Sequence, residues 1–175
     1  TDGLPVVPPT DARVAEMLRA ASLPPSKVIA TLPPMGGEAT VEKIAVNAVM
    51  AGCPASCMPW LISAVRAAAK PEFNLEGVAT TTSPAVPMMV LNGPGTRELG
   101  ANAGANALGR GWRVNASLGR ALHLILQNVG GSWPGVSDAS CLGHPGDFSM
   151  TLAENEEKSP WPPLSTLKGA SPEDD

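Results

Sequence analysis

Residues 118–131 read LGRALHLILQNVGG, and the spacing within this run decides the fold class. Leu118, Ala121, Leu122, Ile125, Leu126 and Val129 recur three and four apart, the repeat of a helix with one apolar face. Gly130-Gly131 closes it, because glycine takes helix-ending backbone angles without steric cost. Asn115 stands near its start, where unpaired N–H groups attract anions.

Outward from this helix, glycine and proline keep the elements short. Val14, Met17, Leu18 and Ala21 follow Thr10 as a second amphipathic stripe, stopped by Pro24. Thr40 starts a third helix with Val41, Ile44, Ala45, Ala48 and Val49 on its buried face and Gly52 as its cap. Pro59 suits the first turn of a fourth, which carries Trp60, Leu61, Ala64, Val65 and Ala68 inward and ends at Pro71. Lys27–Leu32, Gly77–Thr82, Pro87–Leu91 and Phe148–Ala153 read as short strands. About four helices alternating with short strands imply a small layered domain, α/β or α+β. Residues 1–158 are expected to form one compact domain with an extended, proline-rich N-terminal segment. Residues 159–175 are expected to form an extended Pro/Trp arm with an acidic tail.

Tyrosine is absent, and only Phe73 and Phe148 represent phenylalanine. The core must therefore be filled by Ala, Leu, Val, Ile, Met and the four Trp. Charged residues are 16% of the chain, against about 25% in an average soluble domain. A chain so short of ionic groups is expected to cover part of its surface with another chain, a second protein or itself. The net charge of −4 comes without a basic patch, which argues against nucleic acid as a partner. No apolar run approaches the roughly 18–20 residues of a membrane span. With three cysteines and no leader pattern, reduced thiols in a cytoplasm are expected.

Three groups of residues could carry chemistry. Cys53 and Cys57 are spaced C-x3-C, neither a thioredoxin-like pair nor a zinc signature. Cys57 stands near a helix start that could acidify a thiol, although small buried hydrophobes are the more ordinary reading. Cys141 and His144 could contribute to a divalent or transition metal site, but only if carboxylates or a partner complete it. The Gly/Asn stretch NGPGTRELGANAGANALGRG, residues 92–111, could bring backbone close to a ligand. There Asn92, Asn102, Asn106 and, beyond it, Asn115 would anchor a small polar substrate. The same residues could equally serve only as tight turns. Glu42, in the first turn of its helix, is a candidate general acid/base, though the helix dipole alone accounts for it.

Several segments taken together resemble a known family. They are Asp2 to Thr10 (DGLPVVPPT), Thr40 to Lys43 (TVEK) running to Ala51-Gly52-Cys53, Asn92-Gly93-Pro94, Asn115 to Arg120, and Asn128 to Gly131. Leu142 to Gly146 (LGHPG) and Glu154 to Glu157, followed by Ser159-Pro160-Trp161, complete the set. It resembles a bacterial family, often of longer chains, that looks associated with the UGSC (seleno)proteins. The resemblance implies that this chain is similar to the N-terminal part of those longer members, with a separate polypeptide supplying the rest. It also implies thiol or redox chemistry. The Cys-Gly-Ser-Cys run is missing, so Ala51-Gly52-Cys53 is the matching thiol segment, which points to Cys53 rather than Cys57 or Cys141.

The expectation is a subunit of an obligate oligomeric enzyme acting on a small polar molecule at an interfacial site. In it Cys53 would be nucleophile or ligand, Glu42 acid/base, and the asparagines substrate anchors. The rival expectations are a metal-dependent hydratase or lyase drawing on His144, and a non-catalytic structural or binding subunit.

Overall fold

The computed structural model describes residues 1–170; the acidic tail Glu173-Asp174-Asp175 lies outside them. Helix α1, Asp11–Ala21, follows Thr10 and buries Met17 and Ala21. Strands β1, Val28–Leu32, and β2, Gly37–Thr40, form an antiparallel hairpin with Leu32 opposite Gly37. A Cβ at Gly37 would come within 1.8 Å of the Val129 carbonyl oxygen. Only glycine lets this hairpin rest on the end of the long helix.

Helix α2, Val41–Ala51, begins where the Lys43 N–H donates to the Thr40 hydroxyl at 3.2 Å. It ends at Gly52 in the left-handed conformation, φ 83°. It buries Val41, Ile44, Ala45, Asn47, Ala48, Val49 and Ala51, more than one stripe, because α1 and α3 (Met58–Ala68) both pack on it. The buried Asn47 amide is satisfied: it donates to Lys43 O and accepts from Asn128 Nδ2 at 2.7 Å. Pro59 does lie in the first turn of α3.

The segment Gly77–Thr82 is not a strand. Residues Leu75–Thr80 form helix α4, with Leu75 and Ala79, four apart, both buried. The Thr80 hydroxyl donates back to Glu76 O at 2.8 Å. The β preference of Val and Thr is weak beside the burial of one helical face, and no neighbouring strand is there to pair with. Strand β3, Met89–Leu91, pairs in parallel with β4, Thr151–Ala153. Between them, α5, Gly95–Leu99, is a short turn inside the Gly/Asn stretch. Helix α6, Arg113–Asn128, starts five residues before the apolar run and carries Val129 as its cap. The arm beyond residue 159 is extended except for one helical turn, α7, Leu164–Leu167.

Seven helices and four short strands in two small sheets make this an α+β fold among the described residues. The core is aliphatic: Leu32, Ile44, Met58, Leu61, Leu118, Leu124 and Ile125 are its largest fully buried side chains. The tryptophans do not fill it as expected. Trp112, Trp133 and Trp161 are 42%, 39% and 74% exposed, and Trp60 only packs against the edge. Small-residue helices approach too closely to leave room for an indole. No helix among the described residues is long and apolar enough to cross a membrane.

Candidate functional site

The turn from α2 to α3 brings Cys53 and Cys57 together beneath the first turn of α6. Their thiols lie close enough to influence each other's acidity, and both are buried, at 4% and 0% exposure. Cys53 Sγ–H also reaches the Ser117 carbonyl of α6 at 3.2 Å. Cys57 lies at the junction of a 3-10 turn, Ala55–Cys57, with α3, as the residue that precedes its first turn. Arg113 completes the group. Its Nε and Nη2 donate to Gly52 O at 3.1 and 2.9 Å, which holds a fixed positive charge beside the pair.

These neighbours separate the two thiols. The neighbouring Cys57 thiol pushes Cys53 well above the ordinary thiol range, and burial and the nearby Cys57 charge add to that. Ser117 and Arg113 oppose it. Cys57 is lowered, first by the neighbouring Cys53 thiol and then by Arg113, against the effect of burial. In this pair Cys57 is the sulfur that ionises and Cys53 the one that holds the proton. The sequence reading points to Cys53 as the reactive thiol; the surroundings in the fold favour Cys57.

The other residues singled out in the sequence lie elsewhere. Glu42 is exposed near the N-terminus of α2, eleven positions from Cys53, which at 1.5 Å per residue is roughly 16 Å away. The asparagines build their own loop. Asn115 is 3% exposed; its Oδ1 accepts from Asn102 N, and its Nδ2 donates to Asn102 O and Ala107 O. Asn102 accepts from Gly104 N and donates to Ala105 O. Asn106 takes φ 60° and donates to Arg110 O. Asn92 donates to the carboxylates of Glu154 and Glu156. These amide groups are engaged in holding backbone and acidic side chains.

The two histidines and Cys141 meet in a separate cleft of about 840 Å³, which Asp138, Ser140 and Asp147 also line. His144 caps a 3-10 turn: Gly146 N–H donates to its Nδ1 at 2.9 Å, and its own N–H donates to Asp147 Oδ2 at 2.8 Å. The Gly146 bond assigns the hydrogen of the neutral ring to Nε2. A metal at Nε2 would need the hydrogen moved to Nδ1, into the Gly146 N–H. Both nitrogens of His123 face carbonyl oxygens, of Asp147 at 2.6 Å and Pro87 at 3.2 Å. No group of three or more His, Cys, Asp or Glu among the described residues is placed to hold a metal ion, so a metal at His144 would need further ligands from another chain.

Comparison with known proteins finds no match. No family model, no curated protein and no solved structure is similar to this chain at a significant level. The chemistry of the site therefore rests on its own residues. Two of them, Arg113 and Ser117, were not singled out from the sequence. Arg113 carried a signal: a cation in the first turn of a helix opposes the dipole, and such a residue needs another reason to stand there. Ser117 carried none.

Proposed function

We propose that this chain is a soluble, cytoplasmic subunit of an oligomeric oxidoreductase in which Cys53 and Cys57 exchange thiol and disulfide with a small polar disulfide substrate. The observation that carries this reading is the pairing of one acidified and one proton-bearing thiol beside a fixed guanidinium. The thiolate is the nucleophile in such exchange, and a neighbouring thiol resolves the intermediate. The Cys57 thiolate attacks one substrate sulfur, a Cys57–substrate disulfide forms, and the other substrate half leaves as a thiolate. Cys53 then loses its proton to solvent and attacks Cys57. The Cys53–Cys57 disulfide forms and the second substrate half leaves. An external thiol reduces the pair again.

Two further features support an oligomer and a reducing compartment. Leu142 and Val136 are 95% and 83% exposed, and Met35 is 73% exposed, which is apolar surface that a second chain would cover. All three cysteines are free. The thiols are buried, so substrate reaches them when their cover moves. Val7 of the N-terminal segment lies over Gly52, next to Cys53. Its N–H is held by Met50 O at 3.1 Å, and Arg120 clamps the same segment through Asp2, at 2.7 and 2.9 Å.

Oxidation of the Cys141→Ser chain with glutathione disulfide tests the reading. The expected product is a chain lighter by two hydrogen atoms and free of intermolecular disulfides, with a peptide linking Cys53 to Cys57 on digestion. A persistent glutathione adduct without that linkage would refute the dithiol mechanism.

A further inference from the structure

Ser117 is 6% exposed on α6, and its hydroxyl has no hydrogen-bond partner among the described residues. A helical serine commonly bonds the carbonyl one turn back; this one does not. A buried, unpaired hydroxyl is less favourable than a methyl group in the same place. The residue already lies against the dithiol, since its carbonyl accepts from Cys53 Sγ at 3.2 Å.

We infer that Ser117 is a positioning residue for the second half of the exchange, donating its unspent O–H to the Cys53 sulfur once that sulfur has lost its proton. The inference rests on the dithiol reading above. In the resting pair Cys53 donates its hydrogen and needs no donor, so the hydroxyl is idle. When Cys57 is tied up in the mixed disulfide, its negative charge is gone. Cys53 must then ionise in a buried place. What remains beside it is Arg113, committed to Gly52 O, and Ser117, whose carbonyl touches the Cys53 sulfur and whose hydroxyl is unpartnered. A donor to a buried thiolate favours its formation without touching the first step.

Single-turnover reaction with dithiobis-nitrobenzoate separates the two steps, because each attack releases one coloured thiolate. In the Cys141→Ser chain, Ser117→Ala should leave the first release within about twofold and slow the second about tenfold, the size of one charge-assisted hydrogen bond. The pH at half-maximal rate of the second release should rise, and that of the first should stay. The thermal midpoint should be unchanged or higher, since the hydroxyl supports nothing in the resting fold. An unchanged second release overturns the inference while the dithiol reading stands. A variant that melts lower or fails to fold shows a structural bond at the hydroxyl and overturns it as well. A Ser117-intact chain that releases only one equivalent removes the dithiol reading itself, and this inference with it.

Discussion

Cys57 and Cys141 are the same side chain in opposite surroundings. Cys57 is fully buried, stands at the start of a helix, and has the Cys53 thiol and a guanidinium nearby, both of which lower it. Cys141 is exposed on a cleft with both histidines of the chain. From spacing alone Cys141, three residues before His144, could contribute to a metal site, while the sequence reading prefers Cys53 as the reactive thiol. The surroundings of each cysteine in the fold separate them further. Both histidines use their ring nitrogens on backbone groups, whereas the thiol pair at the α2–α3 turn has nothing structural to hold except one carbonyl contact. A functional site shows itself by groups left with capacity to spare, and residue type alone does not reveal that capacity.

Exchanging the two thiols for serine is the strongest way to break this contrast. Cys57→Ser is expected to cut disulfide exchange by about a hundredfold or more, since the thiolate that starts it is gone. Cys141→Ser should change it by less than about twofold. The reverse result in a stopped-flow assay would move the site to the cleft. Cys53→Ala sharpens the buried half. It removes the thiol that lowers Cys57, so the pH midpoint for alkylation of Cys57 should rise. Mixed disulfides should then accumulate in mass spectra, because no resolving thiol remains.

Arg113→Ala acts in the same direction through charge alone. The alkylation midpoint of Cys57 should again move up, and the rate at neutral pH should fall about threefold, within the range of a partly screened charge. An unchanged pH profile would leave Arg113 as no more than a brace for Gly52. The smallest effect concerns the N-terminal clamp. Arg120 holds Asp2 below the usual carboxylate range by hydrogen bonding, and Asp2 in turn raises Arg120. A depressed carboxylate stabilises the fold fully above its unfolded value and less as pH falls through its folded one. The clamp is therefore intact at neutral pH and loosens only in acid, below the 3.8 of a free Asp. Arg120→Ala should lower stability by about 1 kcal/mol, a partly exposed pair's worth. It should also speed thiol labelling severalfold at Cys57 but not at Cys141. Equal acceleration at both cysteines would point to general loosening and not to a cover over the dithiol.

Much of the helical frame was legible before any coordinates, because its signals are local. The repeat from Leu118 to Val129, the Thr40 start, the Gly52 stop and the Pro59 first turn each act within one or two helical turns. The misreading of Gly77–Thr82 has a local cause as well: Val and Thr score as strand formers until Leu75 and Ala79 are known to be buried together. Strand β2, with the sequence GEAT, was invisible because it exists by pairing with β1 and by fitting a glycine against Val129. The Asn-rich stretch could be read as ligand-binding or as turn-making. Which of these holds depends on whether the amides find backbone, and in the fold those of Asn102, Asn106 and Asn115 do.

The amino-acid order on its own settled where the long helices run, but not that the tryptophans would stay out of the core. Tertiary structure alone decided which of the Cys53 and Cys57 sulfurs ionises. Ser117 and Arg113 reach their turn from 64 and 61 positions away along the chain. Acidity in a buried place is set by the charges and donors within a few ångströms, and contacts between residues so distant in sequence leave no periodic or capping signature.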